Sequence, residues 1–163
     1  MLTAERLKEV LSYNDTTGKL TWKIRTGRRC VVGAVAGSRD RRGYIEISID
    51  GERIYAHRAV FAIKHGYLPP EDTDHKDTIK FINKDYNLRQ ATRSQNMGNT
   101  HKYKNNTSGY KGVTWCKAMG AWQAQICCNG VRKYLGCYGT KEEAAAVYAK
   151  KAHELFRDFA RTT

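Results

Sequence analysis

Between Tyr86 and Thr140 the chain has no aspartate or glutamate at all, while Arg89, Arg93, Lys102, Lys104, Lys111, Lys117, Arg132 and Lys133 fall in the same stretch. Ordinary soluble surfaces mix both signs of charge. An acid-free basic segment is what a polyphosphate partner selects, because a carboxylate near its backbone repels it. Other absences narrow the reading further. No apolar run approaches the ~20 residues of a membrane span, and the opening Met1-Leu2-Thr3-Ala4-Glu5-Arg6 lacks the apolar run of a signal peptide. The five cysteines form no Cys-x-x-Cys pair, which argues against a disulfide framework and a zinc ribbon. A reducing, cytoplasmic setting is expected. The 163 residues carry 29 Lys and Arg against 16 Asp and Glu, a net charge of +13, with enough hydrophobic residues for a core.

The periodicity predicts an α+β chain. Thr3 can cap a short helix with Leu7, Val10 and Leu11 on one face. A turn at Asn14–Gly18 leads into a strand at Leu20–Trp22, and residues 25–43, rich in Arg and Gly, read as loop. Ile45, Ile47 and Ile49 alternate on a strand, Asp50-Gly51 is a hairpin signal, and Arg53–Ala56 returns. His57–Lys64 reads as a helix closed by Gly66. An acidic island follows at Glu71, Asp72, Asp74 and Asp77, then a turn-rich run to Asn87 and a helix from about Gln90 to Asn96. Gly, Asn, Thr and Ser crowd residues 97–109. Beyond them Gly112–Trp115, Trp122–Cys128 and Val131–Tyr138 read as three strands, the last two joined by Asn129-Gly130. Thr140-x-x-Glu143 is a capping box opening a helix that carries Ala144, Val147, Tyr148, Ala152, Leu155 and Phe159.

Phosphodiester hydrolysis requires a base for water and a cation to offset charge on the phosphate. Asp74-His75 at a strand end would point its side chains to opposite faces, one toward a metal and one toward water. Asn87 lies twelve positions beyond His75 and Asn96 nine beyond that. A hard oxygen donor such as Asn96 suits Mg²⁺, which keeps several waters. Carboxylates in a chain that grips a polyanion also make sense where a divalent cation separates them from phosphate.

His57-Arg58, Asp74-His75, Asn87-Leu88-Arg89-Gln90-Ala91-Thr92 and Ser94-Gln95-Asn96, with the opening Leu11, Tyr13, Thr17 and Gly18, resemble the HNH endonucleases of phage and mobile elements over residues 1–100. The resemblance implies a ββα-metal (His-Me finger) nuclease domain, its core at about 54–99. Under it His75 is the general base, Asp74 and Asn96 ligate one divalent ion, and Asn87 braces the loop that orients His75. His57 is left open between catalytic and structural roles, and Arg58 and Arg89 between phosphate contact and tying the fold together. Two departures stand out: Thr78 where the family has Gly, and the apolar pair Phe81-Ile82 where it has polar residues. Asn83 is retained with no role assigned.

Ser108–Val113, Trp122–Ile126, Leu135–Tyr138 and Glu142–Ala145 resemble an APETALA-type, ethylene-response-factor DNA-binding domain at 108–163, after a linker at 101–107. Its three-stranded sheet, packed on one helix, would enter the major groove. Lys111, Thr114, Lys117, Gln125, Arg132 and Tyr134 match DNA-facing positions, and Arg93, Lys102 and Lys104 join them on charge. Trp122 fits core packing or a backbone contact. Thr114, Gln125 and Tyr134 replace the Arg, Glu and Trp of the plant domains, which thins readout of guanine and argues against the plant target.

Together these imply a metal-dependent DNA endonuclease using Mg²⁺ or Mn²⁺ rather than zinc. Its partner is double-stranded DNA, with no membrane, and it acts as a monomer in the cytoplasm of a phage-infected host. A non-catalytic DNA-binding regulator that keeps the nuclease fold is the alternative.

Overall fold

Thr3 starts the first element: its hydroxyl accepts the N–H of Arg6 and caps helix α1 (Ala4–Val10), taking up one donor that a helix start leaves over. The computed structural model describes residues 1–28 and 30–162. It is a mixed α and β structure of small sheets and four α-helices, divided into two compact units, Met1–Ala91 and Thr92–Thr163.

In the first unit Leu7 and Val10 of α1 are wholly buried, but Leu11 leaves the helix for an extended conformation. It opens strand β1 (Leu11–Asn14), antiparallel to β2 (Lys19–Trp22) with Leu11 opposite Trp22. The segment read as loop contains one short strand, β3 (Ser38–Arg39), on the edge of the hairpin β4 (Ile45–Ile49) and β5 (Glu52–Tyr55). Asp50 and Gly51 turn that hairpin with φ of 52° and 84°, the pair of left-handed residues a two-residue turn demands. Helix α2 (Ala56–His65) stops at Gly66, whose φ of 83° closes it. Leu7, Val10, Leu11, Ile47, Ile49, Ala59, Val60 and Leu88 share one core.

The expected helix from Gln90 is corrected. Asp72–His75 form strand β6 and Leu88–Ala91 form strand β7, an antiparallel pair that buries Leu88 and Ala91. Helix α3 begins later, at Arg93–Gly98, because Thr92 and Gln95 close a reciprocal capping box ahead of it.

The second unit is a three-stranded antiparallel sheet with β9 (Ala121–Cys128) between β8 (Val113–Cys116) and β10 (Val131–Tyr138). Asn129 and Gly130, at φ 52° and 76°, turn the second hairpin. Helix α4 (Lys141–Phe156) opens on the Thr140–Glu143 box. It seats Ala144, Tyr148, Ala152 and Phe156 against the sheet face formed by Val113, Ala124 and Ile126. Gly112 is needed here: a Cβ would lie 2.2 Å from the Tyr148 ring. The helix ends at Phe156, so Phe159 sits in the 3₁₀ turn Arg157–Phe159 rather than on α4. Among the described residues no helix is long and apolar enough to cross a membrane.

Candidate active site

The β6–β7 pairing sets Asp74 opposite Arg89 and His75 opposite Leu88. Directly opposed residues share a face of the sheet, so the register itself makes an ion pair. Arg89 donates to the Asp74 carboxylate from Nε at 3.0 Å and Nη2 at 2.9 Å, with side chains only 15% and 7% exposed. His75 points to the other face and is buried.

A loop of residues 76–87 connects the two strands, and Asn87 organises it. Its Oδ1 accepts the N–H of Asp77 at 3.1 Å, while its Nδ2 donates to Asp77 Oδ1 at 2.9 Å and to the Ile82 carbonyl at 3.0 Å. Asn87 thus has the geometry of a loop brace. The loop then returns to His75. The ring Nε2 donates to Asn83 Oδ1 at 2.9 Å, in a bond that is buried. An amide oxygen only accepts, so the proton sits on Nε2 and the lone pair on Nδ1. Asn83, to which the sequence assigned no role, is thus the side-chain partner of His75.

Two residues of the opening motif seat Asn83. The Tyr13 hydroxyl donates to the Asn83 carbonyl at 3.2 Å and accepts the Asp85 N–H at 3.0 Å. Gly18, at φ 70°, lies against the Asn83–Lys84 backbone, where a Cβ would come within about 3 Å of Lys84. Thr78, which stands where the family has Gly, takes a left-handed φ of 66°. The turn keeps a glycine-like backbone despite the β-branched side chain.

His57, on the first turn of α2, packs its ring 4.9 Å from that of His75 and 5.3 Å from Tyr44, and stacks on Tyr55. It is buried, and its Nδ1 has no hydrogen-bond partner. Burial, with the nearby His75 and the Arg58 charge, pushes its pKa down to about 3, so it is a neutral packing group at pH 7. Burial also lowers the pKa of His75, opposed by the Asn83 bond and by the charges of Asp77 and Asp74. A neutral imidazole is the state a base requires.

The other candidates divide. Arg58 is spent inside the fold, donating to the carbonyls of Glu71 and Pro69, both at 2.8 Å. In the second unit Asn96 and the exposed Arg93 lie on α3. Lys111 donates at 2.7 Å to Gly98 and at 2.6 Å to Thr100, carbonyls at the C-terminal end of α3. Burial, helped by Arg161, brings its pKa down to about 8. The register places Thr114 beside Gln123 and Tyr134 beside Gln125, with Arg132 opposite Cys127. Alternation puts Thr114, Gln125, Arg132 and Tyr134 on the face turned away from α4. Lys102, Lys104 and Lys117 are exposed. Trp122 packs edge-on to Trp115 and against the α4 side of the sheet.

The donors suit a hard ion. Among the described residues no three His, Cys, Asp or Glu side chains converge on one point. An ion at Asp74 would share the carboxylate with Arg89.

The chain is similar to an HNH endonuclease. An uncharacterized protein of that name from Acanthamoeba polyphaga mimivirus is 34% identical over 122 residues, which cover 74% of this chain and 62% of the relative. The chain thus spans about three fifths of that relative's length. No family model and no solved structure matches the chain.

Proposed function

We propose that the protein is a metal-dependent DNA endonuclease with His75 as general base. The observation that carries this reading is the buried His75–Asn83 bond at the end of β6, in which Nε2 as donor leaves Nδ1 as the acceptor. Nδ1 of His75 takes a proton from water. The water oxygen bonds to phosphorus as the bond to the 3′-oxygen breaks, and that oxygen leaves with a proton from solvent. Asn83 holds the tautomer, Asn87 holds the loop, and His57 packs beside the base. Asp74 would hold a divalent ion, with Asn96 as a second ligand on the sequence resemblance alone. The bound ion would stabilise charge on the phosphoryl group and the leaving oxygen.

The outer face of the β8–β9–β10 sheet, with Thr114, Gln125, Arg132 and Tyr134, together with the exposed Lys117 in the turn after β8, serves as an APETALA-like DNA-binding surface in this reading. Its functional modules run 1–100 and 108–163. The support is the antiparallel sheet on one helix and the shared face of Thr114, Gln125, Arg132 and Tyr134. Lys111 ties the carbonyls at the end of α3 beside this surface. The Asp74–Arg89 pair favours a second reading, a DNA-binding regulator, because it satisfies the carboxylate without an ion. Incubation of supercoiled plasmid with Mg²⁺ and with EDTA separates the two. Nicked or linear product in Mg²⁺ alone supports the nuclease, and unchanged plasmid supports the regulator.

A further inference from the structure

Arg58 and Arg89, the cations of the first unit expected at phosphate, are both engaged inside the fold. A different set stands near His75. Tyr44 lies 5.3 Å from the His57 ring and 6.2 Å from the His75 ring. Lys80 Nζ sits 4.8 Å from the Tyr44 ring centre and donates to the Arg42 carbonyl at 3.1 Å. The Arg42 guanidinium bonds the Tyr55 hydroxyl and lies 5.6 Å from that ring, with its side chain 68% exposed. Arg39 covers Phe81 at 4.8 Å, and Arg39 and Lys80 both approach Gly43. Phe81, apolar where the family is polar, is 49% exposed. With the exposed Arg41, four cations stand here against the one carboxylate of Asp40, whose Oδ1 accepts the backbone N–H groups of Arg42 and Tyr44 and whose Oδ2 pairs with Arg42 Nε at 3.5 Å.

Aromatic faces hold these cations in place while leaving N–H donors toward solvent. We infer that Arg39, Arg42 and Lys80, laid over Phe81, Tyr55 and Tyr44, form the seat for the backbone phosphates of the DNA strand presented to His75. This rests on the endonuclease reading and adds its substrate-positioning surface. The charge excess and the neighbouring base fit a polyanion, and duplex DNA is the form argued here.

Binding of a fluorescent DNA duplex by the full chain, followed against salt concentration in EDTA, tests it without cleavage. Arg42→Gln/Lys80→Gln is expected to lower the slope of log K against log salt by about 1.8, at about 0.9 per lost phosphate contact. Arg42→Lys/Lys80→Arg is expected to keep the wild-type slope, as is Lys8→Gln on α1. An unchanged slope in the glutamine variant overturns the inference, as does an equal loss in the charge-keeping variant. A lost slope alongside a wild-type protein that never cleaves would sink the nuclease reading and leave this surface standing.

Discussion

Asp74 and Arg89 face each other across the β6–β7 hairpin, and two nitrogens of Arg89 converge on one Asp74 oxygen at 3.0 and 2.9 Å. Removing one partner of a buried pair strands the other charge. Arg89→Leu is expected to cost about 3–5 kcal/mol of stability, and Asp74→Asn/Arg89→Leu much less. Urea unfolding measures both. Added Mg²⁺ is expected to restore part of the stability of Arg89→Leu, because the released carboxylate gains a cation, and to do nothing for the double variant.

His57 makes the fold acid-sensitive. Its folded pKa is about 3 against 6.5 in the unfolded chain. As pH falls from 6.5 toward about 3, the unfolded chain binds a proton that the folded chain refuses, so stability falls; above 6.5 both states are neutral and this dependence vanishes. His57→Leu is expected to remove a slope of up to about 1.4 kcal/mol per pH unit within that window. Denaturant midpoints across the range show it.

Thr78 holds a left-handed backbone at φ 66°. A side chain there costs roughly 1–2 kcal/mol, more than glycine's extra chain entropy. Thr78→Gly is expected to raise stability by about 0.5–1 kcal/mol in thermal unfolding. The hairpin strands are unchanged by it, so cleavage is expected to stay intact.

Under the proposed function Asn83 acts through His75, whose Nε2 it holds at 2.9 Å. Asn83→Leu is expected to lower kcat at least about tenfold with duplex affinity unchanged, a fraction of what a general base contributes. Nitrogen NMR of the His75 ring supplies the second readout: Nε2–H alone in the wild type, and a mixture of tautomers in the variant.

Much of this was legible where the signal is local. Asp50-Gly51 and Asn129-Gly130 name their turns because few residues adopt two successive positive φ values. Thr140 and Glu143 name a helix start because the box closes within one turn. The β6 strand was harder to see: Asp-Thr-Asp-His shows no apolar alternation, and its burial comes from pairing with a strand thirteen or more residues away. With that partner unseen, the end of β7, Gln90 and Ala91, blended into the helix behind it. In the site, the spacing marked His75 and Asn87. Arg89 was ambiguous because only the strand register decides that it meets Asp74. Asn83 was silent for a similar reason: Tyr13, which seats its carbonyl, lies 70 residues earlier.

In the proposed reaction His75 removes the proton from the attacking water. The most direct measurement is single-turnover cleavage of a DNA duplex in Mg²⁺ by wild type and His75→Ala, with duplex affinity measured alongside. Loss of the base is expected to slow cleavage by about 10²–10⁴-fold while affinity stays within the wild-type range. Equal cleavage by the two proteins, or cleavage by neither, would contradict the account.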